Sequence, residues 1–208
     1  MNSVPGRNLT EPEWLSARIA EMGRSWGTTE PRVSGTLWWC MVASALVEQL
    51  ARAYATGVPA PVPALDRLDC AVRPDGGIER VHILPATEIE AIAEPPAATA
   101  LRETLAAVIG PVAAVSGAGV PSLWAIAADA IGNRALDAGN PEAGARLATE
   151  VGGKLPVPRF VEIGGRSFVR RISCCLVFEV PGCEMCTSCP KRPAAERTAL
   201  LTELAAES

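Results

Sequence analysis

Cysteines are the residues of this chain best suited to chemistry, and five of them fall between Cys174 and Cys189. Thiolates bind zinc and iron–sulfur clusters. The Cys186-x2-Cys189 step lets a tight turn aim two sulfurs at one metal centre. The adjacent Cys174 and Cys175 would point to opposite faces of an extended strand, so both can serve one site only if the chain bends there. Such a bend favours a centre with two iron atoms.

Four of these thiols form the pattern Cys-Cys-x10-Cys-x2-Cys, which resembles the FhuF-like ferric siderophore reductase family. The segments 168–173 and 181–182 around the first pair also resemble that family. The resemblance implies that the quartet holds a [2Fe-2S] cluster, which is both the metal site and the cofactor-binding site. The four residues are Cys174, Cys175, Cys186 and Cys189.

The resemblance also implies an activity and a domain organisation. It implies a single FhuF-like domain over residues 1–208, with a cluster-binding segment at 166–192. The implied enzyme is a ferric siderophore reductase, which passes one electron from the cluster to siderophore-bound Fe(III) and releases Fe(II) in the cytoplasm. This chemistry is sound because hard oxygen ligands hold Fe(III) far more tightly than Fe(II).

Other metal chemistries remain open on the residues alone. Cys183 lies inside the ten-residue spacer, and with Cys186, Cys189 and one of the adjacent pair it could bind a [4Fe-4S] cluster. Zinc favours two Cys-x2-Cys turns, and a dithiol switch needs fewer thiols than are present. The alternative functions are therefore an iron–sulfur electron-transfer or iron-sensing and redox-sensing protein without its own substrate, and a structural zinc-binding module.

Basic side chains bracket the cysteines in an otherwise acidic chain. Nearby cations would raise the reduction potential of an anionic four-thiolate cluster and could attract an anionic electron donor or chelate. Ordinary solvated side chains remain an equal interpretation. The residues are Arg166, Arg170, Arg171, Lys191 and Arg192.

The remaining candidates favour structural roles. His82 is the one histidine, which excludes a Rieske-type centre with two histidine ligands, and its alternation with apolar neighbours predicts a surface position or a satisfied structural role. Cys40 and Cys70 lie on apolar faces and are predicted to be buried structural thiols. The bulky side chains Trp38, Trp39 and Trp124 are predicted to pack in the core.

The elements that must position the cysteines are mostly predicted helices. Apolar residues recur at helical spacing, glycines end several of these stretches, and Asn140 followed by Pro141 predicts a helix start. Thr10 and Glu13 have the spacing of a capping box. The predicted helices cover approximately residues 11–22, 35–55, 124–135, 141–151 and 194–206.

Two hairpins are predicted beside these helices. Alternating segments at 65–73 and 78–84 flank a Pro-Asp-Gly-Gly turn, and segments at 160–163 and 167–173 flank Gly164-Gly165 and lead directly into the cysteines. The predicted fold is α+β, mostly helical, with one or two short antiparallel β-hairpins and a C-terminal iron–sulfur-binding segment. No long linker divides the chain.

The composition and the first residues of the chain limit its expected cellular location and its expected binding partners. The chain has 208 residues with 19 basic and 23 acidic side chains, so nucleic-acid binding by phosphate neutralisation is not expected. Residues 1–10 lack the pattern of a secretory signal, which predicts a cytoplasmic protein with reduced thiols. A chain of this length can bury enough surface to fold without a metal, so a bound metal would serve chemistry.

The expected partners are a ferric siderophore, with the hydroxamate type as one candidate, and an external electron donor. Because no flavin or nicotinamide fingerprint is found, the donor would be a ferredoxin, a reductase or a small reductant. Peripheral association with the inner face of the membrane, through a helix such as 35–55, is compatible with the sequence but not required by it.

Overall fold

The computed structural model describes residues 2–87 and 95–207, and six α-helices lie within them. Prolines occupy the first or second position of four helices, where a missing N–H costs nothing. Left-handed glycines end three helices, at Gly27, Gly57 and Gly117, and two of these three also begin with a proline. The helices are α1 (Pro12–Trp26), α2 (Pro31–Thr56), α3 (Ala97–Ser116), α4 (Val120–Asp137), α5 (Pro141–Val151) and α6 (Ala194–Ala206).

Helix α2 is the centre of the core, and it packs against α1, α3, α4 and α5. Trp38 and Trp39 are fully buried, and their indole N–H groups donate to the carbonyls of Gly76 (2.9 Å) and Leu123 (2.8 Å). Trp124 is also buried, which confirms the core role predicted for all three tryptophans. Since neighbouring helices cover the apolar side chains of α2, the structure gives no support to membrane association through this helix.

Helix α3 has the length and hydropathy needed to cross a membrane. In this structure it is a core helix, because it packs against α1, α2, α4 and α5. Its fully buried side chains include Leu101, Leu105, Val108 and Val112. A central helix of a compact protein therefore accounts for the same pattern of apolar residues.

Two small antiparallel sheets complete the fold. The first has the order β1 (Asn2–Pro5), β2 (Leu68–Val72) and β3 (Ile78–Ile83), with Cys70 paired to Val81. The second is the hairpin of β4 (Phe160–Ile163) and β5 (Arg166–Val169). Both predicted hairpins are confirmed, and so is the mostly helical α+β class. Strand β1 was not predicted.

Two local predictions were wrong in detail. Thr10 does not cap α1, because its hydroxyl donates to the carbonyl of Arg7 (2.7 Å) and closes a 3-10 turn, and Glu11 occupies the cap position. The second strand of the C-terminal hairpin ends at Val169, four residues earlier than predicted. The cap at Asn140 is confirmed, since its side-chain oxygen accepts the N–H of Ala143 (3.2 Å).

Candidate metal centre

The cysteines lie in an irregular segment, residues 170–193, between β5 and α6, which we call the cysteine loop. Leu176 has φ 63°, and it is the one non-glycine residue in the described part of the chain with positive φ. A branched side chain in this left-handed region costs about 1 kcal/mol or more. This left-handed residue directly follows the adjacent cysteines and leads into a 3-10 turn at Val177–Glu179. The chain therefore bends beside Cys174 and Cys175, as it must if both are to serve one site.

The structure brings four of the five clustered thiols together as two pairs. The sulfurs of Cys174 and Cys189 are 3.6 Å apart. The sulfurs of Cys175 and Cys186 both lie within 4 Å of Nη1 of Arg171, and the two thiols interact with each other. A tetrahedral centre with metal–sulfur bonds of about 2.3 Å holds two of its sulfurs about 3.8 Å apart. Each pair joins one of the adjacent cysteines to one cysteine of the Cys-x2-Cys turn, so each of two metal atoms could take two thiolates.

Cys183 stands outside these pairs. It is half-buried against the core, its N–H donates to the carbonyl of Val180 (3.1 Å), and its thiol has no hydrogen bond to another described residue. Nowhere in residues 2–87 or 95–207 do three His, Cys, Asp or Glu side chains converge as the ligands of a single ion would. The described arrangement is therefore two pairs.

Arg171 is the basic residue that contacts the thiols. Its Nη1 lies 3.5 Å from the sulfur of Cys186 and 3.9 Å from that of Cys175, and its side chain is 16% exposed. Burial alone would lower the pKa of Arg171, because it disfavours the charged guanidinium. The negative charge that Cys175, Cys40 and Cys186 can carry has the larger effect, so the pKa of Arg171 is raised. A fixed positive charge thus lies against one of the two thiol pairs.

The other basic residues predicted near the cysteines have different contacts. The ammonium group of Lys191 lies 5.1 Å from the ring centroid of Phe178, and the guanidinium of Arg166 lies 5.2 Å from that of Phe168. Arg192 donates to the carbonyl of Cys186 (3.0 Å), so it supports the loop backbone rather than a sulfur. Arg170 is exposed.

The interaction between the two thiols of the second pair, Cys175 and Cys186, changes the pKa of both. It is the main cause that lowers the pKa of Cys175 to about 5, with help from the Arg171 charge, and it raises the pKa of Cys186. Such a shared proton belongs to the pair rather than to either residue. One sulfur of this pair is therefore ready to bind a metal as a thiolate at neutral pH.

Asp129 fixes the start of the cysteine loop, and the sequence interpretation missed it. Its buried carboxylate, on α4, accepts the N–H groups of Ile172 (2.9 Å) and Ser173 (3.1 Å) and the hydroxyl of Ser173 (2.9 Å). It also lies 3.7 Å from Nε of Arg171. Burial raises the pKa of Asp129, and these contacts oppose the rise. These bonds also explain why β5 ends early, because the backbone turns from its strand partner to this carboxylate.

The two cysteines predicted to be structural differ in their surroundings. Cys70 is fully buried in β2, as expected, and burial raises its pKa to about 12. Cys40, on α2, is only half-buried and lies beside the cysteine loop. Burial is the main cause that raises the pKa of Cys40 to about 12, and charge on Cys175 adds to it. The exposed position of His82 is confirmed.

Comparison with known proteins identifies this part of the chain. A search of the curated proteins finds no match. Residues 171–191 match the family model described as the FhuF 2Fe-2S C-terminal domain. That segment contains both thiol pairs, Cys183 and Arg171. The cysteine loop is therefore similar to the FhuF 2Fe-2S C-terminal domain over residues 171–191, and the resemblance to the FhuF-like family is confirmed over this short segment.

Proposed function

We propose that Cys174, Cys175, Cys186 and Cys189 hold a [2Fe-2S] cluster and that the protein is a ferric siderophore reductase. The observation that carries this proposal is the arrangement of the quartet as two thiol pairs within the segment that matches the 2Fe-2S domain. A rival quartet that includes Cys183 would have to break one of these pairs.

The reaction needs one electron from an external donor, such as a ferredoxin, a reductase or a small reductant. When bound by the four cysteines, the cluster would supply one-electron transfer to Fe(III) in the chelate, and the Fe(II) so formed would be held weakly by hard oxygen ligands. Three of the four cysteines are half-buried rather than fully enclosed, so donor and substrate can approach closely. We place this reaction in the cytoplasm.

The protein residues around the quartet have separate tasks in this proposal. Arg171 supplies positive charge that favours the more anionic, reduced state. Asp129 holds the backbone at Ile172 and Ser173, directly before the first ligand. Leu176 donates its N–H to the sulfur of Cys174 (3.4 Å), a contact that stabilises a thiolate.

The first test is composition. The protein is purified without oxygen, and iron, acid-labile sulfide and zinc are measured per chain beside the visible spectrum. We expect two iron and two sulfide, as in the matched 2Fe-2S domain. Cys186→Ser should lose the cluster, whereas Cys183→Ser, the matched control in the same loop, should retain it. If the purified protein contains zinc and no sulfide, it is a structural zinc-binding module and not a reductase.

The second test is turnover. The reduced protein is mixed with a ferric trihydroxamate and a chromogenic Fe(II) chelator, and we expect Fe(II) to form as the reduced cluster is oxidised. The Cys186→Ser variant, treated identically, should give only the background rate. A loaded, fully reducible protein that releases no Fe(II) from ferric chelates would instead be an electron carrier or sensor.

A further inference from the structure

A cavity of about 550 Å³ lies between the cysteine loop, the start of α2 and the start of α4. Cys174 and Leu176 line it from the loop, with Thr36 on α2 and Ser122 on α4 across from them. Its volume falls within the range of small-molecule sites, about 300–1,000 Å³. The cavity is large enough for a compact metal chelate.

The cavity is next to one of the two thiol pairs. Cys174 forms part of its wall, and so does Pro190, which directly follows Cys189. Cys175 and Cys186 do not line it, among the residues that the structure describes, and Arg171 lies against that pair instead. A molecule in the cavity would therefore meet the cluster through the Cys174 side.

The charged side chains on the described wall are both cations, Arg32 and Lys191. Arg32 forms an ion pair with Glu179 but keeps 49% of its side chain exposed, and a guanidinium has five donors. Lys191 is exposed, with its ammonium near the ring of Phe178. Because Glu179 offsets much of the charge of Arg32, Lys191 is the wall's main positive charge, and no carboxylate pairs with it among the described contacts. A cation placed this way attracts anions in a protein with a net charge of -4.

We propose that this cavity is the substrate site and that it selects ferric chelates whose outer surface carries a carboxylate or another anionic oxygen. Lys191 and Arg32 contact that oxygen, and the chelated iron faces Cys174. The inference rests on the proposed reductase function. One electron, supplied first by the external donor, leaves the reduced cluster and enters Fe(III). The cluster is reoxidised, the iron becomes Fe(II), and no bond within the chelator breaks.

Gallium(III) chelates allow binding to be measured without electron transfer, because Ga(III) resembles Fe(III) in charge and size but is not reduced by the protein. The matched probes are the gallium complex of a linear trihydroxamate with a terminal carboxylate, and the complex of its neutral methyl ester. Each is titrated calorimetrically into the oxidised, cluster-loaded protein at low salt. We expect the carboxylate form to bind about tenfold more tightly, as one charge-assisted contact would give.

Two variants locate the site. Lys191→Glu should weaken binding of the carboxylate chelate about tenfold and leave the ester unchanged. Lys154→Glu makes the same change of net charge at an exposed position outside the cavity wall, and should have no such effect. Ser122→Trp fills the cavity from an exposed position in the first turn of α4, so it should weaken both chelates without unfolding the protein.

The visible spectrum confirms that each variant is loaded. Equal affinity for the two chelates, or no binding of either, would overturn the anionic class, and unchanged binding by Ser122→Trp would overturn the cavity. The reductase function is judged separately. If the gallium chelate binds in the cavity but the ferric form is not reduced, the proposed reductase function is refuted and the proposed binding site is supported. If Ser122→Trp reduces the ferric form at the original rate, the site fails and the function stands.

Discussion

At the scale of single residues, Arg171 differs from the other basic side chains near the quartet. The sequence shows five cations that bracket the cysteines, but only the guanidinium of Arg171 lies within 4 Å of their sulfurs among the contacts that the structure describes. Because it contacts Cys175 and Cys186 and not the other pair, its charge acts unequally on the two halves of the centre. This asymmetry could not be inferred from spacing.

We expect Arg171→Gln to lower the reduction potential of the loaded protein. Removing a partly buried positive charge next to two thiolates disfavours the added electron, and we expect a shift on the order of 60 mV, a tenfold change in a one-electron equilibrium. A redox titration followed by visible and EPR spectra measures it. Arg170→Gln is the matched control, because that neighbouring side chain is exposed. Equal potentials for the two variants would contradict the assignment.

At the scale of elements, a single carboxylate joins α4 to the cysteine loop. Asp129 accepts three hydrogen bonds from Ile172 and Ser173, residues that lie 43 and 44 positions further along the chain. The loop has little regular structure of its own, so these bonds determine where Cys174 begins. The helix thus acts as the support on which the first ligands are placed.

We expect Asp129→Ala to destabilise the loop by about 2–4 kcal/mol, because two backbone N–H groups and a hydroxyl lose their acceptor. Iron content after purification should fall, and hydrogen exchange at Ile172 and Ser173 should accelerate. Asp137→Ala on the same helix is the control, since that side chain is 64% exposed and its ion pair with Arg134 is worth at most about 1 kcal/mol. Similar iron content in the two variants would rule out the supporting role.

Elements with local signals could be predicted from the sequence. The β2–β3 hairpin follows from alternation around the Pro74–Gly77 turn, and α6 follows from its leucines and begins at Ala194, as predicted. Strand β1 could not be found in this way, because its partner β2 lies more than sixty residues away. The capping-box prediction at Thr10 failed because Thr10 ends a 3-10 turn, in which its hydroxyl donates to the carbonyl of Arg7, and the helix is capped one residue later, at Glu11.

In the candidate site, too, features with a local sequence signal could be predicted and features that depend on long-range packing could not. The adjacent cysteines were sufficient to require a bend, whereas the choice of four thiols among five came from the family resemblance. The pairing of Cys174 with Cys189 depends on the folded loop, and the nearness of Cys40 depends on how α2 packs. For Asp129, the available signal was a carboxylate in the middle of an apolar, alanine-rich stretch of the helix, where it is costly to bury without partners.

At the scale of the whole molecule, the cysteine loop lies on a hydrophobic core built mainly from other parts of the chain. The largest fully buried side chains come from residues 9–123, including Trp38, Trp39 and Leu123, and the loop adds few buried apolar side chains, mainly Leu176 and Val180. Hydrophobic burial on this scale is enough to keep a chain of this length folded. Metal binding should therefore order the loop rather than fold the protein.

We expect removal of the cluster by an iron chelator under reducing conditions to leave the helical core intact. The far-UV circular dichroism at 222 nm should change little, because the helices α1 to α5 are packed without the loop's help. Hydrogen exchange should rise within residues 171–191 and stay slow in α2, since regions with few buried contacts open independently of the core. Cooperative loss of the helical signal with the iron would instead show that the centre is part of the folding core, as in domains that unfold without their metal.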